Sequence, residues 1–141
     1  MYIRWVKRGH RNSQIADVVF HDAYLVESYR NEEGKPRQRT ISYLGNVRQI
    51  GDEFPVIERE LFLLRAENVL QCLSDLSPAE REQVLTLLHD KIPPLTRDEI
   101  MEGFRNTLGW YCHWWQKHGT PPTPDEIHNL IKNVARDFDL W

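Results

Sequence analysis

The chain has 141 residues, 40% of them hydrophobic and 28% charged, which describes a folded globular protein and excludes a disordered one. No window approaches 18 consecutive apolar residues and the start, "MYIRWVKRGHR", has no apolar core, which excludes a membrane span and a secretory signal as readings of these residues. The net charge of −3 is unevenly divided: residues 1–50 hold nine basic and five acidic residues, a balance of +4, and residues 51–141 a balance of −7. The chain therefore reads as a basic module, 1–50, packed on an acidic one, 51–141, with an anion as the natural partner of the first.

The basic module has strand periodicity. "YIRWVK" puts Ile3, Trp5 and Lys7 on one face and Tyr2, Arg4 and Val6 on the other, and "ADVVF" begins or extends a second strand. "AYLVESYR" and "RQRTISYLG" flank the turn "NEEGKP", which predicts a hairpin. A symmetric closure would oppose Arg30 to Arg37, Ser28 to Arg39, Val26 to Ile41 and Tyr24 to Tyr43, placing Arg30, Arg37 and Arg39 on one face.

Beyond Gly51 the period becomes helical. "FPVIERELFLLRAENVLQCLSDL" predicts a first helix, with its stripe at Val56, Ile57, Leu61, Leu64, Val69, Leu70 and Leu73. "SPAE" at Ser77–Glu80 is a capping box with proline at the first helical position; Thr96 caps a longer helix that Gly119 can stop, and Thr123-Pro124-Asp125-Glu126 opens the last one. The expected fold class is α+β, a small three-stranded antiparallel sheet followed by four helices.

Sites for chemistry are sparse. There is no phosphate loop, dinucleotide glycine pattern, nucleophile elbow or His-Glu-x-x-His, and no matched acid–base pair, so no enzyme and no cofactor is expected. Cys112, His113 and His118 lack the paired spacing of a zinc site, and Cys112 shares a helical stripe with Leu108 and Trp115. With Cys72 it makes only two distant thiols, which points to a reducing, cytoplasmic setting. Trp110, Trp114 and Trp141 are candidates for a protein interface.

The hairpin is the exception. Arg30, Lys35, Arg37 and Arg39 fall within ten residues, interleaved with Tyr29 and Thr40. Arg4, Lys7, Arg8 and Arg11 join them if the first strand pairs alongside. Lysine and arginine displace counterions from phosphates, hydroxyls donate to phosphate oxygens, and a two-stranded ribbon fits the major groove. The competing explanation is an edge strand protected by charge, which accounts for one or two basic residues better than for this many.

"AYLVESYRNEEGKPRQRTISYLGNV" resembles the N-terminal segment of bacterial insertion-sequence transposases of the DDE class: a tyrosine-rich strand ending in Glu27-Ser28-Tyr29-Arg30, an acidic-glycine turn, then Arg37-Gln38-Arg39-Thr40-Ile41 running to Leu44-Gly45. That segment precedes the catalytic domain and is assigned to DNA binding. The stretch "GHRNSQIADVVFHD" departs from the pattern. Residues 51–141 are too short and too helical for the ribonuclease-H-like catalytic domain. The resemblance therefore implies contact with double-stranded DNA, without transposition chemistry. The acidic helices are expected to dock a protein partner or a second copy. The rival reading is an inhibitor or adaptor of a mobile element that uses the hairpin and the tryptophan-rich helix as its interface.

Overall fold

The computed structural model describes residues 1–9 and 17–139. Ala16, Arg11 and Trp141, which enter the sequence reading above, lie outside the described residues. Three strands, β1 (Tyr2–Gly9), β2 (Val18–Arg30) and β3 (Pro36–Ile50), form one antiparallel sheet in the order β1-β2-β3. Four helices follow, α1 (Val56–Cys72), α2 (Pro78–His89), α3 (Arg97–His118) and α4 (Pro124–Asp137). This is the α+β class that the periodicity predicts. None of these helices is long and apolar enough to cross a membrane.

The chain divides into two compact units, Met1–Glu99 and Ile100–Trp141. In the first, one face of the sheet supplies Ala23, Leu25, Leu44 and Val47, and the helices supply Phe62, Ala66, Leu70, Val84 and Leu88, all buried. Ile3 and Trp5 of β1 close one side of this core, the indole 5.8 Å from the Phe62 ring. Gly45 adopts a φ of +116°, a conformation side chains avoid, and Phe62 packs over it.

The stripe expected on α1 holds at Val69, Leu70 and Leu73, which meet the core, and is displaced in the turns before them. Phe62, Ala66 and Leu70 face the core, whereas Ile57, Leu61 and Leu64 are exposed. The helix is apolar on nearly every side of its first three turns, so period alone could not choose the buried face. The caps are as the sequence predicts: Ser77 and Thr123 each form a complete capping box with proline at the first position. Thr96 and Glu99 exchange the same pair of bonds at the start of α3. Arg59 ties α1 to this start, donating to the Phe54 carbonyl at 3.1 Å and pairing with Glu99.

In the second unit α3 and α4 expose most of their apolar residues: Phe104, Trp110 and Leu130 are all more than half exposed, as is Phe138 just past α4. Every residue of α3 is exposed or half-buried, with Leu108, Cys112 and Trp115 along one half-buried stripe.

Candidate nucleic-acid interface

Strand lengths set the shape of the hairpin. β1 begins at Tyr2, which pairs with Val26, so β2 and β3 continue past it as a two-stranded ribbon carrying residues 27–39. Four cross-strand pairs at about 3.4 Å per residue make the ribbon roughly 14 Å long before its turn. Residues 32–40 are all exposed.

The turn fixes the ribbon's register. Asn31 Oδ1 accepts from the backbone N–H groups of Glu33 at 3.1 Å and Lys35 at 2.8 Å, and the Gly34 N–H donates to the Asn31 carbonyl at 2.9 Å. Gly34 at φ +75° supplies the left-handed residue such a turn requires. Arg30 consequently pairs with Pro36, Tyr29 with Arg37, Ser28 with Gln38, Glu27 with Arg39 and Val26 with Thr40. The symmetric closure drawn from the sequence is thus corrected by one residue at the tip, while Tyr24 does oppose Tyr43. The irregularity between Leu25 and Val26, where Ile41 is the extra residue on β3, absorbs the difference; a second one, between Ala23 and Tyr24, adds Leu44 on the far side of the Tyr24–Tyr43 pair.

A slip of one residue exchanges faces. Arg37 and Arg39 share a face with Glu27 and Tyr29, and Arg30, Gln38 and Thr40 occupy the other. Each basic residue has distinct company. Arg39 pairs with Glu27 and lies 5.9 Å over the Tyr29 ring. Lys35 is 3.3 Å from Glu33, and Arg30 donates to the Gly34 carbonyl at 2.9 Å. The Arg37 side chain has neither ion pair nor hydrogen bond among the described residues. Exposed ion pairs contribute about 1 kcal/mol or less, so a phosphate can displace them.

β1 divides the remaining candidates. Arg4 and Arg8 point to the face away from α1 and α2, and Lys7 to the other, in register with His21. Arg8 donates two N–H groups to Asp22, one of them at 3.2 Å, and Tyr43 donates its hydroxyl to the same carboxylate at 2.7 Å. The Arg8 bond holds the Asp22 carboxyl below the usual carboxylate range, despite its burial. His21, 1% exposed, is pushed down by burial and by Lys91 and Lys7, and its Nε2 meets Gln49 Oε1 at 2.8 Å. Asp22 and His21 were missed in the sequence, although two polar residues inside "VVFHDAYLV" signal buried polar contacts.

These two neighbours predict acid lability. The unfolded His21 ring takes a proton near its ordinary 6.5 and the folded ring does so only at lower pH, so its stabilisation is full above 6.5 and falls as the pH drops below that value. Asp22 contributes above its ordinary 3.8 and loses that contribution as the pH falls through its lower folded value. Melting temperature is therefore expected to fall in two stages on acidification. His21→Gln should remove the first and Asp22→Asn the second; a flat profile between pH 7 and 5 would show that His21 is not held neutral.

Trp110 and Trp114 are 60% and 44% exposed, with Trp110 against Tyr111 and Trp114 against His118. Among the described residues no group of three His, Cys, Asp or Glu is placed to hold a metal ion.

Over residues 17–83 the chain matches the family model described as IS1634 family transposase, N-terminal domain. The match runs from the start of β2 through β3 and α1 into α2, and it bears out the resemblance carried by Tyr24–Gly45. Comparison with curated proteins and with solved structures gives no match.

Proposed function

We propose that this N-terminal transposase segment binds duplex DNA by inserting the 27–39 ribbon into a groove. The observation that carries the reading is the ribbon itself: two strands extend past the end of β1 with Arg30, Lys35, Arg37 and Arg39 all exposed. A two-stranded ribbon fits a major groove about 12 Å wide. Arginine on both ribbon faces meets both walls of the groove, and Lys35 at the turn meets backbone phosphate. Thr40 adds a hydroxyl donor, and Arg4, Lys7 and Arg8 extend the positive charge toward the sheet. In this reading Arg37, whose side chain has no ion pair or hydrogen bond among the described residues, reads guanine, and the others position the duplex.

Such binding weakens steeply with salt, because each neutralised phosphate releases condensed counterions. A titration of the chain against duplex at several salt concentrations should give a log–log slope of about −3 to −6. No duplex binding at low salt would sink the proposal.

The exposure of Trp110 and Trp114 favours a second, compatible role for α3 as the contact for a protein partner or a second copy. The adaptor reading gives this contact the whole function, with the ribbon meeting an acidic protein. It predicts salt-sensitive binding to that partner in place of DNA.

A further inference from the structure

The sheet face turned away from α1 and α2 carries an arrangement of its own. Three rows cross it in register: Arg4–Tyr24–Tyr43, Val6–Asp22–Asn46 and Arg8–Phe20–Arg48. In the outer rows guanidinium groups lie over rings, Arg4 5.0 Å from the centre of Tyr24, and Arg8 and Arg48 5.1 and 5.4 Å from that of Phe20. In the middle row Asp22, 5% exposed, grips Arg8 from below. Arg4, Arg8 and Arg48 are themselves exposed. We propose that this face is a phosphate-binding surface for the backbone of the same duplex, with Arg4, Arg8 and Arg48 as its cations, an extension that rests on the DNA reading of the ribbon.

The chemistry favours phosphate over bases. A stacking platform needs uncovered rings, and here the Tyr24 and Phe20 rings already have guanidinium groups over them. Asp22 engages two of the five N–H groups of Arg8 and leaves three for an outside acceptor. Rings and carboxylate hold these side chains in place before a ligand arrives, which lowers the entropy lost on binding. Arg48 also lies 3.9 Å from Glu58, at the outer limit of an ion pair, and a phosphate can replace that contact.

Dimensions favour a backbone as well. Four residues along β1 separate Arg4 from Arg8 by about 13 Å, and two strand spacings separate Arg8 from Arg48 by about 10 Å. Arg8 and Arg48, gathered over the one Phe20 ring, make a paired cationic site, and Arg4 makes a second one along β1, so the face can meet separate phosphates of the backbone. This face is backed by the core helices, and no strand pair projects from it to enter the groove. It lies across the backbones while the narrower ribbon goes in.

The test compares Arg4→Gln/Arg48→Gln with the ribbon variant Arg37→Gln, by fluorescence anisotropy on a labelled duplex of about 30 base pairs and on its single strand. Loss of two phosphate contacts should lower the salt slope by about 2 units and the affinity roughly 10- to 100-fold near 0.1 M salt. Single-strand binding should be affected less. Arg4→Lys/Arg48→Lys, which keeps the charge, should retain the slope, and thermal melting should show that the exposed substitutions leave the fold intact. If Arg37→Gln weakens duplex binding while the Gln pair leaves the slope unchanged, the ribbon reading stands and the phosphate surface is overturned. If the Gln pair weakens only single-strand binding, the face stacks bases and the proposal is likewise overturned. Absence of duplex binding by the unaltered chain removes both.

Discussion

Replacing Phe62 with alanine is expected to cost about 3–5 kcal/mol, the usual range for a buried phenylalanine. The ring is 1% exposed, meets Trp5 of β1 and packs over Gly45 of β3, so it joins α1 to two of the three strands. A small domain has only about 5–15 kcal/mol of total stability, and each kcal/mol moves the melting temperature by about 4–8 °C. Phe62→Ala should therefore lower melting by tens of degrees, read by circular dichroism or calorimetry. Trp114→Ala, at a half-open position on α3, should move it far less. A Phe62→Ala protein that melts with the unaltered one would mean that the sheet is held by something other than this contact.

The second large effect concerns the ribbon. Changing Arg30, Arg37 and Arg39 together to glutamine should lower the salt slope by about 3 units and duplex affinity by about 10²- to 10³-fold near 0.1 M salt, at roughly 0.9 counterion per phosphate. The three side chains stand on an exposed ribbon outside the core, so folding should survive. Single changes should then separate the roles. Lys35→Ala should weaken all duplexes alike and lower the slope by about one unit. Arg37→Ala should cost about 1–3 kcal/mol and relax preference at one base pair if it reads guanine. Arg39→Ala also releases Glu27, so part of its effect is an acidic group newly turned toward DNA. An unchanged slope in the triple variant would assign the charge to protection of the strand edges.

Local chemistry made much of this fold legible in the sequence. Ser77, Thr96 and Thr123 announce three helix starts because a cap needs only a hydroxyl and a glutamate three residues on. Tyr24 does oppose Tyr43 as a count from a symmetric turn gives, but only because the extra residue Ile41 makes up the one residue by which that turn is too wide. The arginine faces were not legible, because they depend on Asn31 choosing a shorter loop, with one extra residue absorbed at Ile41. The row Arg8–Phe20–Arg48 was hidden for a related reason. Its members are up to forty residues apart, and only the accumulated register of two strand pairs brings them together. Charge changes sign near residue 50 while the compact units part at Glu99, since charge reports what meets solvent and contacts report what shares a core.

The end of β1 opposite Val26 also has a bearing on motion. Residues 27–39 form a ladder only two strands wide, and such a ribbon is marginally stable by itself in water. Its opening is therefore expected to cost less free energy than opening of the sheet behind it, and to leave Ala23, Leu25 and Val47 of the core in place. Ordering the ribbon is then part of the free energy of any complex it makes. In the proposed DNA complex the cross-strand pair Tyr29–Arg37 and the Asn31 clamp would then tune affinity from within the protein, by setting how often the ribbon is already formed when the duplex arrives.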